Sequence, residues 1–386
     1  NPLLCVGLDP PSIIMNTYLE FEKPIIELDK RIIELQNLNQ KNGSSDISSE
    51  ISKLNLKASS ILQEIFNDLS PWQKTQVARH PERPHFSHFV SKLIDDFCPL
   101  AGDRHLAEDY AVVGGFGRFR GESILIIGNE KGDNTESRVH HNFGMARPEG
   151  YRKAMRLMKM ADHFQIPIVT IIDTPGAYPG VGAEERGQAE AIARSIECCL
   201  SLGVPMVVVI VGEGGSGGAI ALATGNRVLM LEHAIYSVIS PEGCASILWR
   251  DPSMAPVAAK ALKLTAEDLK KFNIIDEIVK EPIGGAHRDH DSIISEVGES
   301  IERSLQLLSN QDSKELKRSK YEKFLQMGQN SFFNTNTNYH DILSGEVITK
   351  QGFVSIFFDY MRKNRTMRYF IILLCAIILS LLIYLV

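Results

Sequence analysis

Two glycine-rich segments hold the residues whose types and spacing could do chemistry. The first is Asp173-Thr-Pro-Gly-Ala-Tyr-Pro-Gly-Val-Gly182 and the second is Gly212-Glu-Gly-Gly-Ser-Gly-Gly-Ala219. Each follows an apolar, β-branched run and precedes small residues suited to a helix. Glycine lets a ligand approach the backbone closely, and the N–H groups that open a helix have no intrahelical partner. Such donors suit an anion, or an oxyanion that develops during reaction, because their dipoles are fixed beforehand. Tight strand–helix packing also accounts for a single turn of this kind. Two of them on neighbouring strands point to a site at the strand ends.

The second turn fits two other motifs in part. Gly212, Gly214 and Gly217 spell G-x-G-x-x-G, with Glu232 placed like the acidic residue of a dinucleotide fingerprint. Asn226 already starts the next strand, which leaves about two helical turns and is too short for that crossover. Gly214, Ser216 and Gly218 spell G-x-S-x-G, and Asp276 and His287 follow in the order a serine hydrolase needs. The glycines around Ser216 are explained equally well without a nucleophile. His80, His85 and His88 lack the spacing of a zinc helix. His140-His141 and His287-Arg-Asp-His290 read as polar surface. Arg138, Arg147, Arg152, Lys153 and Arg156 suit either a phosphate or a solvated helix face.

Short apolar strands and helices must position these turns. Ser123–Gly128, Ile166–Asp173, Val204–Gly212 and Arg227–Leu231 read as strands buried on both faces, as in α/β layers. Helices are expected over Pro148–Phe164 and Ala183–Gly203. Ahead of them, two apolar stripes predict a helical hairpin. One runs from Ile25 to Leu35 and the other from Ile51 to Leu69, and Asn42-Gly43-Ser44 separates them. The 386 residues are 44% hydrophobic and 23% charged, an ordinary globular balance. A net charge of −6 offers no basic field for nucleic acid. Six cysteines without a C-x-x-C pair support neither a disulfide scaffold nor a zinc ribbon.

Both ends depart from this pattern. Residues 1–14 contain no Met, and Met15 reads like a natural start. From Tyr369 to Val386 no residue is charged. A helix of this length reaches roughly 27 Å, enough for a bilayer core of about 30 Å. Arg362, Lys363, Arg365 and Arg368 precede it, so the body is expected in the cytoplasm with the tail inserted.

Several long stretches together carry a resemblance. They are Ala78-Arg-His-Pro81, Leu100-Ala-Gly-Asp-Arg104, Asn142-Phe-Gly-Met145 and Pro148-Glu-Gly-Tyr-Arg-Lys153. To these add Ile172 to Gln188, Gly212 to Ala219, and Tyr236 to Trp249. From about Tyr18 to Gly328 the chain resembles the alpha subunit of bacterial acetyl-CoA carboxylase carboxyltransferase. The resemblance implies an α/β fold, a crotonase-like spiral of ββα units; the helical hairpin before it is read from the residue spacing, and the apolar helix after it departs from the family, which stops soon after Gly328. It implies a beta-subunit partner that carries the zinc ribbon, in an alpha2beta2 assembly, with biotin carboxyl carrier protein and biotin carboxylase. No metal is expected on this chain.

The family reaction transfers a carboxyl group from carboxybiotin to acetyl-CoA, giving malonyl-CoA. By resemblance, Gly217 and Gly218 are the backbone oxyanion donors. Gly176, Ala177, Tyr178, Pro179, Gly214 and Gly215 shape the pocket. The expected limits are 1–14 for the extension, 15–70 for the helical region and 71–310 for the carboxyltransferase domain. A helix and linker follow over 311–366, then the apolar segment 367–386 as a tether to the inner membrane. The competing readings are a serine hydrolase on the same type of fold and a membrane-anchored assembly subunit without a working site.

Overall fold

The computed structural model describes residues 18–42 and 45–328. The extension 1–14, the polar linker, the basic cluster and the apolar segment 367–386 lie outside the described residues. Helices α1 (Lys23–Asn42) and α2 (Ser45–Asn67) form the expected hairpin. Ile25, Leu62, Phe66 and Leu69 of this region pack with Val77 of α3 (Pro71–Ala78). Helix α3 has a sharp start. Ser70 accepts from the Gln73 N–H, Gln73 accepts from the Ser70 N–H, and Pro71 fills the first position, where no donor is needed.

Helix α4 (Phe86–Leu93) leads into an antiparallel group: β1 (Asp95–Pro99), β2 (Val112–Phe119) and β3 (Glu122–Asn129). Arg120 and Gly121, at φ 51° and 87°, close β2 onto β3. Two left-handed residues match the right-handed twist of the flanking strands. After α5 (Thr135–His140) and α6 (Pro148–His163) the chain turns to parallel pairing. The order is β4 (Ile168–Thr174), α7 (Val181–Glu185), α8 (Gln188–Ser201), β5 (Met206–Gly215), α9 (Ser216–Ala223) and β6 (Arg227–Leu231). Then come β7 (Ile235–Ser237), α10 (Pro241–Trp249), α11 (Ala255–Leu262), α12 (Ala266–Lys271), β8 (Glu277–Val279), α13 (His290–Leu308) and α14 (Ser313–Gln326).

The described strands form one mixed sheet in the order β1-β2-β3-β4-β5-β6-β8, with β7 beside the end of β5. From β3 to β8 the pairings are parallel. The Val/Ile runs are buried as the sequence requires: every residue of β4 is buried, and every residue of β5 up to Gly214. Leu157 and Met158 of α6 and Ile293, Ile294 and Val297 of α13 belong to the same core. Lys320 of α14 is fully buried, and its ammonium donates to the Cys199 and Leu202 carbonyls at the end of α8, both at 2.8 Å.

Two expectations need correction. The helix expected over Ala183–Gly203 is two helices, α7 and α8. Gly187, at φ 81°, breaks the path between them. The second glycine run is not all turn, because β5 continues through Gly212–Gly215 before α9 begins.

Candidate active site

The two glycine turns meet. A Cβ at Gly218 would lie 2.5 Å from the Gly176 carbonyl carbon and 2.6 Å from the Ala177 nitrogen. One at Gly215 would lie 2.7 Å from the Gly176 nitrogen and on top of the Pro175 carbonyl. At Gly214 it would meet the Tyr236 ring at 2.8 Å. These three glycines are there because backbone passes close to its neighbours. Gly217 differs: a Cβ there would touch only Ile192, at 3.4 Å, an ordinary contact. Gly217 is half-buried and Ser216 exposed, and no side chain caps the N-terminus of α9.

The first turn is held from several sides. The Thr174 hydroxyl donates to the Gly176 carbonyl at 2.8 Å. The Tyr178 N–H donates to the Ala146 carbonyl at 2.9 Å, and the Gln188 amide donates to the Ala146 and Tyr178 carbonyls. The Arg147 guanidinium stacks on the Tyr178 ring at 4.7 Å. Gly176, Ala177 and Tyr178 are half-buried and Pro179 is exposed. Gly176, Ala177, Tyr178 and Pro179 thus lie on the turn after β4, and Gly214, Gly215, Gly217 and Gly218 on the junction of β5 with α9 that abuts it.

Beneath the turns lies an ionic network that sequence reasoning did not single out. Asp173 ends β4 and Glu213 lies near the end of β5. The Lys131 ammonium bridges them, at 2.7 Å from Asp173 and 3.3 Å from Glu213. Arg79 reaches Glu213 at 2.8 Å and Glu242 at 2.5 Å. Burial opposes the charge on Lys131, but Asp173 and Glu213 outweigh it and hold its pKa above the ordinary lysine value. Burial likewise opposes the charge on Glu213, and Lys131 and Arg79 hold its pKa below the usual carboxylate range. His85, 3.9 Å from Asp173, stays neutral to lower pH because burial outweighs the neighbouring carboxylates. Asp173, Glu213 and Arg79 stand inside the motif stretches, which is the one signal that could have found them.

Ser216 sits in a left-handed conformation at φ 47°, as a nucleophile on a strand-to-helix elbow does. Its partners are missing. The small cavity it lines, about 50 Å³, contains Arg79, Glu213, Ser237 and Ser240 and no histidine. Asp276 instead accepts from the Val228 N–H and pairs with Lys323. His287 is not polar surface as expected: its side chain is 5% exposed and its ring stacks on His80 at 3.9 Å. Burial, then the neighbouring His80, pushes its pKa down to about 2, so it is no base at neutral pH.

The chain matches the family model described as "acetyl co-enzyme A carboxylase carboxyltransferase-like" over residues 18–328. It is 62% identical over 315 residues to the acetyl-coenzyme A carboxylase carboxyl transferase subunit alpha of Nitrobacter winogradskyi, covering 82% of this chain and 98% of the relative. The same subunit of Paramagnetospirillum magneticum is 62% identical over 311 residues, covering 81% of this chain and 98% of the relative. The chain belongs to the family of acetyl-CoA carboxylase carboxyltransferase alpha subunits. Its function is that of this carboxyl transferase subunit, and the hydrolase and non-catalytic readings fall away. Among solved structures the chain is similar to transcarboxylase 12S with methylmalonyl-coenzyme A bound, at 18% identity and a TM-score of 0.49, over 59% of this chain and 42% of that one.

Among the described residues no group of His, Cys, Asp and Glu could hold a metal. No described helix is long and apolar enough to cross a membrane, and the tail expected to do so lies outside the described residues. The basic set is not one solvated face, since four of its five cations donate to backbone carbonyls. Arg138 donates to the Pro81 and Gly132 carbonyls, Arg152 to Arg186, and Arg156 to Ala101 and Gly102. Lys153 is buried against Glu108 and the Asp109 carbonyl.

Proposed function

We propose that the two abutting turns form the carboxybiotin half of a carboxyltransferase site that a beta subunit completes. The reading includes a crotonase-like spiral of ββα units, an alpha2beta2 assembly, and delivery of carboxybiotin by a biotin carboxyl carrier protein charged by biotin carboxylase. When the N–carboxyl bond breaks, its electron pair passes into the ureido group and negative charge grows on the ureido oxygen. The N–H groups of Gly217 and Gly218 open α9 and are placed to donate to that oxygen. The acetyl methyl group of acetyl-CoA gives its proton to the freed ureido nitrogen and forms the new bond to carbon, giving malonyl-CoA. The balance therefore needs no further acid or base from this chain. Gly176, Ala177, Tyr178, Pro179, Gly214 and Gly215 shape the wall beside the donors.

The observation that carries this reading is the contrast between the glycines. Packing accounts for Gly214, Gly215 and Gly218, whereas no close contact among the described residues requires a glycine at Gly217, which lies half-exposed at an uncapped helix start. The test is the reverse reaction, malonyl-CoA plus biotin giving acetyl-CoA, with the full chain mixed with a beta subunit and with each alone. Turnover only in the mixture is expected. Ser216→Ala should retain it, and Gly217→Val should abolish it, because branches beyond a Cβ that already touches Ile192 displace the start of α9 that carries the donors. Equal loss in both variants, or turnover by this chain alone, refutes the assignment.

A further inference from the structure

Strand β5 does not run straight from the core to the glycine turn. It pairs with β4 residue by residue as far as Ile210 opposite Ile172, and the next pair is Gly214 opposite Thr174. Thus β5 advances by four positions while β4 advances by two, and Val211, Gly212 and Glu213 bulge out of the ladder. Before the bulge β5 also pairs with β6; from Glu213 onward it pairs with β7. A bulge bends its strand and re-aims the residues beyond it, here Gly214, Gly215 and the start of α9.

All three bulged residues are buried, so the backbone groups they withdraw from the ladder need other partners. Side chains supply two of them. The Glu213 N–H donates to Asp173 Oδ1 at 2.9 Å. The Val211 carbonyl accepts from both Nε and Nη2 of Arg83, at 3.2 and 2.7 Å. Each side chain is braced from behind. Lys131 holds Asp173 Oδ1 at 2.7 Å, and Glu281 grips Arg83 in a two-point pair at 2.8 and 2.9 Å. Gly212 leaves the room this needs, since a Cβ there would lie 2.8 Å from the Asp173 carboxyl carbon. Neither Asp173 nor Arg83 lines the cavity at Gly214–Ser216.

We propose that Asp173 and Arg83 are positioning residues for carboxyl transfer, which together hold the bulge at Val211–Glu213 and so set where the N-terminus of α9 points. The proposal rests on reading that N-terminus as the oxyanion site. It is tested in the complex with the beta subunit by the reverse reaction, with kcat and the malonyl-CoA KM measured separately. Asp173→Ala is expected to lower kcat about 100-fold, the loss that goes with roughly 1 Å of misplacement, with KM nearly unchanged.

Asp173→Asn keeps an oxygen that can accept from the Glu213 N–H and should recover most of that loss. Arg83→Lys keeps a charge for Glu281 but loses the fork, and it serves where Asp173→Ala fails to assemble. It should lower kcat about 10-fold, again without raising KM. Near-normal kcat in Asp173→Ala, an asparagine as damaging as the alanine, or a fall in kcat matched by a rise in KM overturns the proposal. Gly217→Val runs alongside: normal turnover there sinks the oxyanion reading itself, whatever the Asp173 variants do.

Discussion

Gly218→Ala tests the contact between the two turns with a single methyl group. That methyl would lie 2.5 Å from the Gly176 carbonyl carbon and 2.6 Å from the Ala177 nitrogen. Non-bonded carbon atoms rest about 3.5–4.0 Å apart, so roughly 1 Å of movement is required. The obstruction is backbone, and it has little freedom to yield. Thr174, Gln188 and the Ala146 carbonyl all hold the 174–178 segment. Overpacking of this kind costs about 1–3 kcal/mol. A 1 Å displacement at the donors lowers the transfer rate about 100-fold.

Gly217→Ala adds the same methyl one residue earlier, where the nearest atom is Ile192 Cδ1 at 3.4 Å. Its N–H is kept, and alanine in place of glycine inside a helix favours the helix by about 1 kcal/mol. It should therefore keep turnover within about 3-fold, as substitutions that displace nothing do. The assay is the reverse transfer at saturating malonyl-CoA with the beta subunit in excess, with thermal unfolding of each variant beside it. Wild-type turnover by Gly218→Ala would refute the steric argument. So would a Gly217→Ala variant as impaired as Gly218→Ala.

Two further expectations concern stability. Glu281 is fully buried, which alone would raise its pKa, but Arg83 and His233 bring it down to about 2. A depressed carboxylate contributes stability above its unfolded value near 4.5 and loses it as pH falls toward 2, here about 3 kcal/mol. Arg83→Met should accordingly destabilise by about 3–5 kcal/mol at pH 7, because a buried charge loses its partner, with the gap to wild type narrowing below pH 4.5 in urea titrations. A gap that does not depend on pH would argue against the ion pair as the cause. Burial lowers the Lys320 pKa to about 8 from 10.5. The penalty for its charge is present in full below pH 8 and is relieved as pH rises toward 10.5, while the neutral amine still donates to both carbonyls. Wild type should gain up to about 3 kcal/mol on Lys320→Met across that window, and parallel stability curves would rule this out.

Much of the architecture was legible because its causes are local. The runs Ile168–Thr174 and Met206–Val211 alternate with helical segments and fit strands buried on both faces, which the structure pairs in parallel. The hairpin of α1 and α2 followed from apolar spacing, and the start of α3 from Ser70, Pro71 and Gln73. The break at Gly187 went unseen, since a left-handed glycine within a helical pattern looks like any other glycine until the backbone is traced. The setting of His287 and Arg156 was not legible for a related reason. Whether His287 faces water or His80, and whether Arg156 faces solvent or a carbonyl, depends on what packs there.

The amino-acid sequence by itself determined the glycines, the strands that present them and the family to which the chain belongs. Each of these is written in consecutive residues. Only the tertiary structure decided why particular glycines are needed and what aims the turn. Gly218 meets Gly176, Gly212 makes room for Asp173, and Arg83 reaches Val211 across 128 positions of chain. A buried backbone group takes whatever partner the fold brings within about 3 Å, and nothing in the local spacing of residues records which one that will be.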